Sequence, residues 1–177
     1  MLTATYSIVS LELEQKKARW TLSSLQQYIF NSIRHLKSAG GVDFEQLLQR
    51  LSQFEKYCQQ RRVATFLVPM LRKITREADP LLDELEQLTA AGMALMRSLQ
   101  ARFRQALSHS GLLVEELCQS LEACCLNFCQ RLNREEELVR LAERVMPSEA
   151  WFGFAEQALS QHSRKMSVQQ FTDDEAL

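Results

Sequence analysis

Cys118, Cys125 and Cys129 are spaced by seven and four residues, so on a helix all three thiols fall on one face, with Cys58 able to look toward them from an earlier helix. Thiols gathered in this way could bind a soft metal or form a redox pair. The competing reading is packing, because a reduced Cys behaves as a small buried hydrophobe and the chain has no C-x-x-C spacing. The neighbours Cys124 and Cys125 would point about 100° apart on a helix, which argues against a disulfide between them. Arg61 and Arg62 stand where an apolar pattern should continue, and Glu135 opens a run of three acids. An inward Arg61 or Arg62 could form an internal salt bridge with Glu86 or Glu135, and the alternative is that the arginine snorkels to solvent while the acids form a solvated face. His35, His109 and His162 lie near helix ends or in the tail, too dispersed to converge on one metal. No nucleophile with a base and an orienting group, no Gly-rich phosphate loop and no paired acids at a catalytic spacing are present. Enzyme activity is not expected.

The elements that carry these residues read as helices. From about Thr5 to Ser38 the apolar positions Ile8, Leu11, Ala18, Leu22, Leu25, Ile29, Ile33 and Leu36 recur at three- and four-residue steps. The same period lands on Gln15 and predicts that it points inward. Gly40 and Gly41 supply a stop, and Asp43 is a plausible N-cap for the next helix. That second helix is expected from Phe44 to about Arg76, with Leu47, Leu51, Phe54 and Cys58 on its seam and a kink at Pro69. Asp79-Pro80 starts a third helix bearing Leu81, Leu85, Leu88, Met96, Leu99, Phe103 and Leu107. The fourth begins near Leu112 and carries Leu117, Leu121, Cys124, Phe128, Leu132, Leu138, Leu141 and Val145 to a break at Pro147. Ser148 caps a short fifth helix in which Trp151, Phe152, Phe154 and Leu159 are apolar. Those aromatics either fold over the end of the assembly or extend a partner patch. Residues 161–177 are polar and expected to be a flexible tail on a single domain of residues 1–160.

Composition agrees. Five Gly and three Pro in 177 residues, with 46% hydrophobic residues, suit an all-α chain whose four long amphipathic helices pack up-down-up-down. With 21 basic and 22 acidic residues interspersed, the net charge of −1 offers no face for nucleic acid. The N-terminus lacks a basic leader and no apolar run approaches the roughly 18 residues of a membrane span. An odd count of five cysteines fits reduced thiols and a cytoplasmic protein with no membrane partner.

Two segments carry a resemblance. The first is Tyr57, Cys58, Gln59, Gln60, Arg61, Arg62, Val63, Ala64, Thr65, Phe66, Leu67, Val68, Pro69; the second is Gln130, Arg131, Leu132, Asn133, Arg134 and Glu135 to Glu137, followed by Pro147, Ser148, Glu149, Ala150, Trp151. In these stretches the chain resembles the hemerythrin-like domains, four-helix bundles that hold a di-iron centre between their helices. The resemblance covers roughly Ile8 to Leu159 and implies iron as the cofactor of metal-loaded members. It also implies that Gln15, Gln59 or Gln60, and Gln130 stand where such members carry His, with Glu135 as a remaining carboxylate. Gln15, Gln59 or Gln60, and Gln130 would then approach one central cavity. A Gln amide keeps a hydrogen-bonding shape and loses transition-metal affinity.

Function is read accordingly. The leading expectation is a non-enzymatic, degenerate hemerythrin-like bundle without cofactor that acts on an unidentified protein partner as a regulator or adaptor, and that can pair with a second copy. Two others stay open: a metal- or redox-responsive sensor using Glu135, Glu86 and the thiols, and an iron- or oxygen-binding protein like its metal-loaded relatives.

Overall fold

The computed structural model describes residues 2–37, 44–106 and 114–160, the side chains at 35–37, 105–106 and 114 excepted. His109, His162, the side chain of His35 and the tail 161–177 lie outside it. The described chain is all-helical. In order it forms α1 (Leu2–Lys37), α2 (Phe44–Gln60), a π turn (Val63–Leu67), α3 (Val68–Ile74), α4 (Asp79–Ala106), α5 (Val114–Val145) and α6 (residues 148–160). Among the described residues no helix is long and apolar enough to cross a membrane.

Bonded pairs give the relative direction of the long helices. Tyr28 donates to Gln46 and Arg62 to Ser10, so α1 and α2 run oppositely. Gln15 meets Glu135 and Gln26 meets Cys129, which sets α1 against α5. Arg134 donates to Glu84 and Arg102 to Glu116, which sets α4 against α5.

The one departure from the expected helices is the second. A single kinked helix to Arg76 is not formed; the chain breaks after Gln60, passes through the π turn, and resumes as α3 with Pro69 in its first turn. Packing phase explains the break. Leu47, Leu51, Phe54 and Cys58 are buried at helical steps, and then Arg61, Val63, Leu67 and Leu71 are buried at steps of two and four. Positions two apart lie about 200° apart on an α-helix, so Arg61 and Val63 cannot both face inward without a local rearrangement. The wider π turn, in which Val68 N–H donates to the Val63 carbonyl, supplies it. Pro69 has no N–H to return to Thr65, so the wider bond costs the ladder nothing at that point. Arg62 N–H, released from the regular ladder, donates to Glu14 at 3.1 Å.

The apolar core is in two parts. One joins Ala18, Leu22, Leu25 and Ile29 of α1 to Leu51 and Phe54 of α2, Met96 to Phe103 of α4, and Leu117 to Leu132 of α5. The other joins Leu11, Val63, Leu67, Leu71, Leu82 and Leu138 to Met146, Trp151 and Phe154. The expected apolar side of the last helix divides: Trp151 and Phe154 are buried and stacked edge to face, while Phe152 and Leu159 face solvent. Trp151 and Phe154 therefore do not form a partner patch.

In the first part, the Phe54 ring meets Phe128 edge-on with centroids 4.9 Å apart, and both are fully enclosed. Phe54→Ala should lower stability by about 3–5 kcal/mol, read by urea unfolding. A loss within a few tenths of a kcal/mol would mean that the enclosed core is not packed as described.

Candidate functional site

Between the two apolar clusters lies a layer of polar side chains. On α1 it falls at Gln15, between Leu11 of one cluster and Ala18 of the other; after α2 it falls at Arg61, between Cys58 and Val63. On α5 it falls at Arg131 and Glu135, and α2 adds Glu55. Arg61 is 1% exposed and its Nη1 donates to Glu135 Oε2, which also accepts Gln15 Nε2 at 3.3 Å. Arg131 Nη1 donates to Glu55 Oε2 at 2.6 Å, and Gln59 Nε2 donates to the other Glu55 oxygen at 2.9 Å. Two guanidinium–carboxylate pairs are thus held in the interior with equal charge of each sign.

The α4 side of the layer is built around Gly92. A Cβ there would stand 2.5 Å from Asn127 Oδ1, and Asn127 is fixed because its Nδ2 donates to the Leu88 carbonyl at 2.9 Å. Glycine lets α4 approach α5 at this level. On the α2 side the contact is looser, and a cavity of about 390 Å³ lined by Gln59, Ala64, Leu85, Met93, Arg131 and Glu135 reaches the ionic layer.

The layer is not fully satisfied. Arg61 Nε and Nη2, Arg131 Nε, Gln15 Oε1, Asn127 Oδ1 and Tyr57 Oη are enclosed without a hydrogen-bond partner. Each such group costs on the order of 1–3 kcal/mol. Burial raises the Glu14 carboxyl above its ordinary value against the pull of Arg61 and Arg62, and raises the Tyr57 phenol. It also pushes the thiols up, Cys58 and Cys125 to about 12 and Cys124 to about 11, so they stay protonated at neutral pH and make poor nucleophiles or metal ligands.

Several expected positions are corrected. Gln15 is buried as its period predicts, and Glu135 and Arg61 meet in the interior. Gln60 and Gln130 face solvent, and Gln59 reaches only the rim through Glu55. The reason is phase: Gln60 is two residues past Cys58, and Gln130 two past Phe128 and two short of Leu132, which turns both to the far side of their helices. The inward positions are one residue later, at Arg61 and Arg131. Glu86 is exposed and bonded to Arg72 instead of entering the layer. Cys118 and Cys125 are buried and Cys129 half-buried, all reduced. Glu55, Arg131 and Asn127 were not anticipated, although Glu55 continues the steps of Leu51 to Cys58 and Arg131 those of Phe128 to Glu135.

Among the described residues no three His, Cys, Asp or Glu side chains gather where they could hold a metal ion. A di-iron centre does not fit this layer, since its carboxylates are engaged by fixed guanidinium cations and, among the described residues, no imidazole faces it. What the arrangement defines is an all-helical protein with a buried, charge-balanced ionic layer. No protein-family model, curated protein or solved structure matches the chain.

Removing one partner of an enclosed pair leaves an uncompensated charge, whereas removing both does not. Arg61→Met should therefore cost about 3–5 kcal/mol, and the double variant Arg61→Met, Glu135→Gln should recover most of that loss in denaturant melts. If the single change were neutral, the pair would not be buried. The sign for Glu14 follows from its raised folded pKa: it adds stability at acid pH, where it is protonated, and loses that contribution as pH rises through the folded value. Glu14→Gln should stabilise the protein at pH 7, with the gain vanishing below the ordinary carboxyl value of 4.5 in pH-dependent melts. A gain that grew on acidification would contradict the enclosure of this group.

Proposed function

We propose that the chain is a degenerate hemerythrin-like domain, an up-down-up-down four-helix bundle with α6 folded over one end, that has given up metal chemistry and works through protein–protein contact as a regulatory or adaptor protein. The observation that carries this reading is Arg61, a guanidinium 1% exposed and bound to Glu135 midway along the interior. A permanent cation on the protein chain stands there beside Gln15 and Glu135, the two positions of the implied ligand set that face inward. Arg131 on Glu55 repeats the pairing on the neighbouring side. The opposed directions of α1 and α2, of α1 and α5, and of α4 and α5 support the bundle topology.

The non-enzymatic part rests on the same groups. The enclosed carboxylates are occupied by arginines, the thiols of Cys58, Cys124 and Cys125 are held protonated by burial, and among the described residues no acid, base and nucleophile share a cleft. Reduced thiols also support a cytoplasmic location. Contact with another protein is favoured by the large apolar side chains exposed outside the core, Trp20, Leu13 and Tyr6 among them.

Elemental analysis of protein purified without chelator and without a metal-affinity tag tests the reading. Iron, manganese, zinc and copper should each be far below one equivalent, and adding ferrous iron in anaerobic solution should leave the thermal midpoint where it was. Stoichiometric iron, or a near-ultraviolet band of an oxo-bridged iron pair, would overturn it.

A further inference from the structure

Helix α1 has two apolar faces. The inward one carries Leu11, Gln15, Ala18, Leu22, Leu25 and Ile29. Turned about half a revolution away are Leu2, Tyr6, Val9, Leu13 and Trp20, with Phe30 further along, all exposed, Trp20 by 73% and Leu13 by 60%. The steps from Leu2 to Leu13 are four, three and four, and Lys16 fills the position between Leu13 and Trp20. This is the spacing of a coiled-coil seam on the outside of the molecule. Among the described residues nothing covers it, and only Tyr6 borders another element, the groove beside α6.

We propose that this face is the contact surface of a homodimer, in which α1 of one copy packs antiparallel on α1 of a second about a twofold axis midway between Leu13 and Lys16. The proposal deepens the interaction reading above and rests on it, but it is independent of the ionic layer.

Three features select a second copy. First, the antiparallel register brings each large residue opposite a smaller or polar-tipped one: Val9 meets Trp20, Leu13 meets Lys16, Tyr6 meets Ser23 and Leu2 meets Gln27, and the twofold repeats every layer. Second, charges agree with that direction. The antiparallel pairing sets each Lys16 against Leu13, whereas a parallel pairing would set Lys16 directly against Lys16. A bilayer surface is a poorer match, because the Lys16 ammonium and the Glu12 carboxylate sit midway along the stripe that would enter it. Leu13 of a second copy covers only the methylene stem of Lys16 and leaves the ammonium at the edge. Third, the size suits a reversible dimer. The two aromatic side chains Tyr6 and Trp20, of about 150–250 Å² each, and the three aliphatic ones Leu2, Val9 and Leu13, half to nine-tenths exposed, place on the order of 600 Å² on the stripe, against roughly 800 Å² per partner in a standard interface, with Phe30 lying beyond the end of the partner helix.

Sedimentation velocity over a range of protein concentrations tests this. The wild-type chain should sediment as a dimer. Leu13→Lys, which sets a second ammonium against Lys16, and Trp20→Glu, both at exposed positions, should each raise the dimer Kd by at least about tenfold while the far-ultraviolet dichroism stays unchanged. Leu13→Glu should weaken the dimer less than Leu13→Lys, because the antiparallel register sets it against Lys16, a difference that a parallel or distant interface would not show. A wild-type monomer at every concentration, a dimer indifferent to Leu13→Lys and Trp20→Glu, or a monomer that co-sediments with phosphatidylserine vesicles would each overturn the proposal. None of these outcomes bears on metal content, so the dimer and the metal-free reading can fail separately.

Discussion

Two arginines and two glutamates enclosed between helices set the terms for the rest of the structure. Moving such ions out of water costs several kcal/mol apiece, and only close pairing brings the expense near to break-even. Arg61 with Glu135 and Arg131 with Glu55 reach that pairing because α2 and α5 run in the same direction and present their charges at the same levels. The layer therefore adds little net stability. Its effect is on specificity: any slip of α2 along α5 would leave four buried charges unmatched. The apolar clusters on either side supply the free energy, and the layer between them selects one register.

The same layer bears on the proposed absence of metal and proton chemistry. A carboxylate that is to hold a metal or move a proton must have a lone pair to spare and a pKa near its task. Glu135 gives one oxygen to both Arg61 and Gln15, and Glu55 divides its two between Arg131 and Gln59. Cys58, Cys124 and Cys125 are limited for a different reason. Burial keeps their thiols protonated, and nearby carboxylates push the thiolate further out of reach.

Much of the helical pattern could be read from the chain because three- and four-residue spacing survives wherever one side of a helix packs on a core. Gln15 was legible on those grounds, and the Asp79-Pro80 start and the Pro147 break are local backbone chemistry. The error at Gln60 and Gln130 came from placing polar residues by resemblance instead of by phase; one residue of slip turned the inferred interior to the surface. Arg61 was visible as an anomaly, yet its burial depends on a carboxylate on another helix 74 residues away. The π turn was hidden because Pro69 drew attention to itself, while the need for a break arose from Arg61 and Val63 both facing inward.

That turn has a meaning beyond local geometry. A π turn is what remains when one residue has been added to an α-helix and absorbed without being removed elsewhere. Up to Cys58 the strand of sequence is read by one core, and from Val63 by the other; the turn is a frame change between them. Length is thus part of the code here: a chain shortened by a single residue between Arg61 and Leu67 would keep every side-chain type and still present Leu67 and Leu71 in the wrong frame.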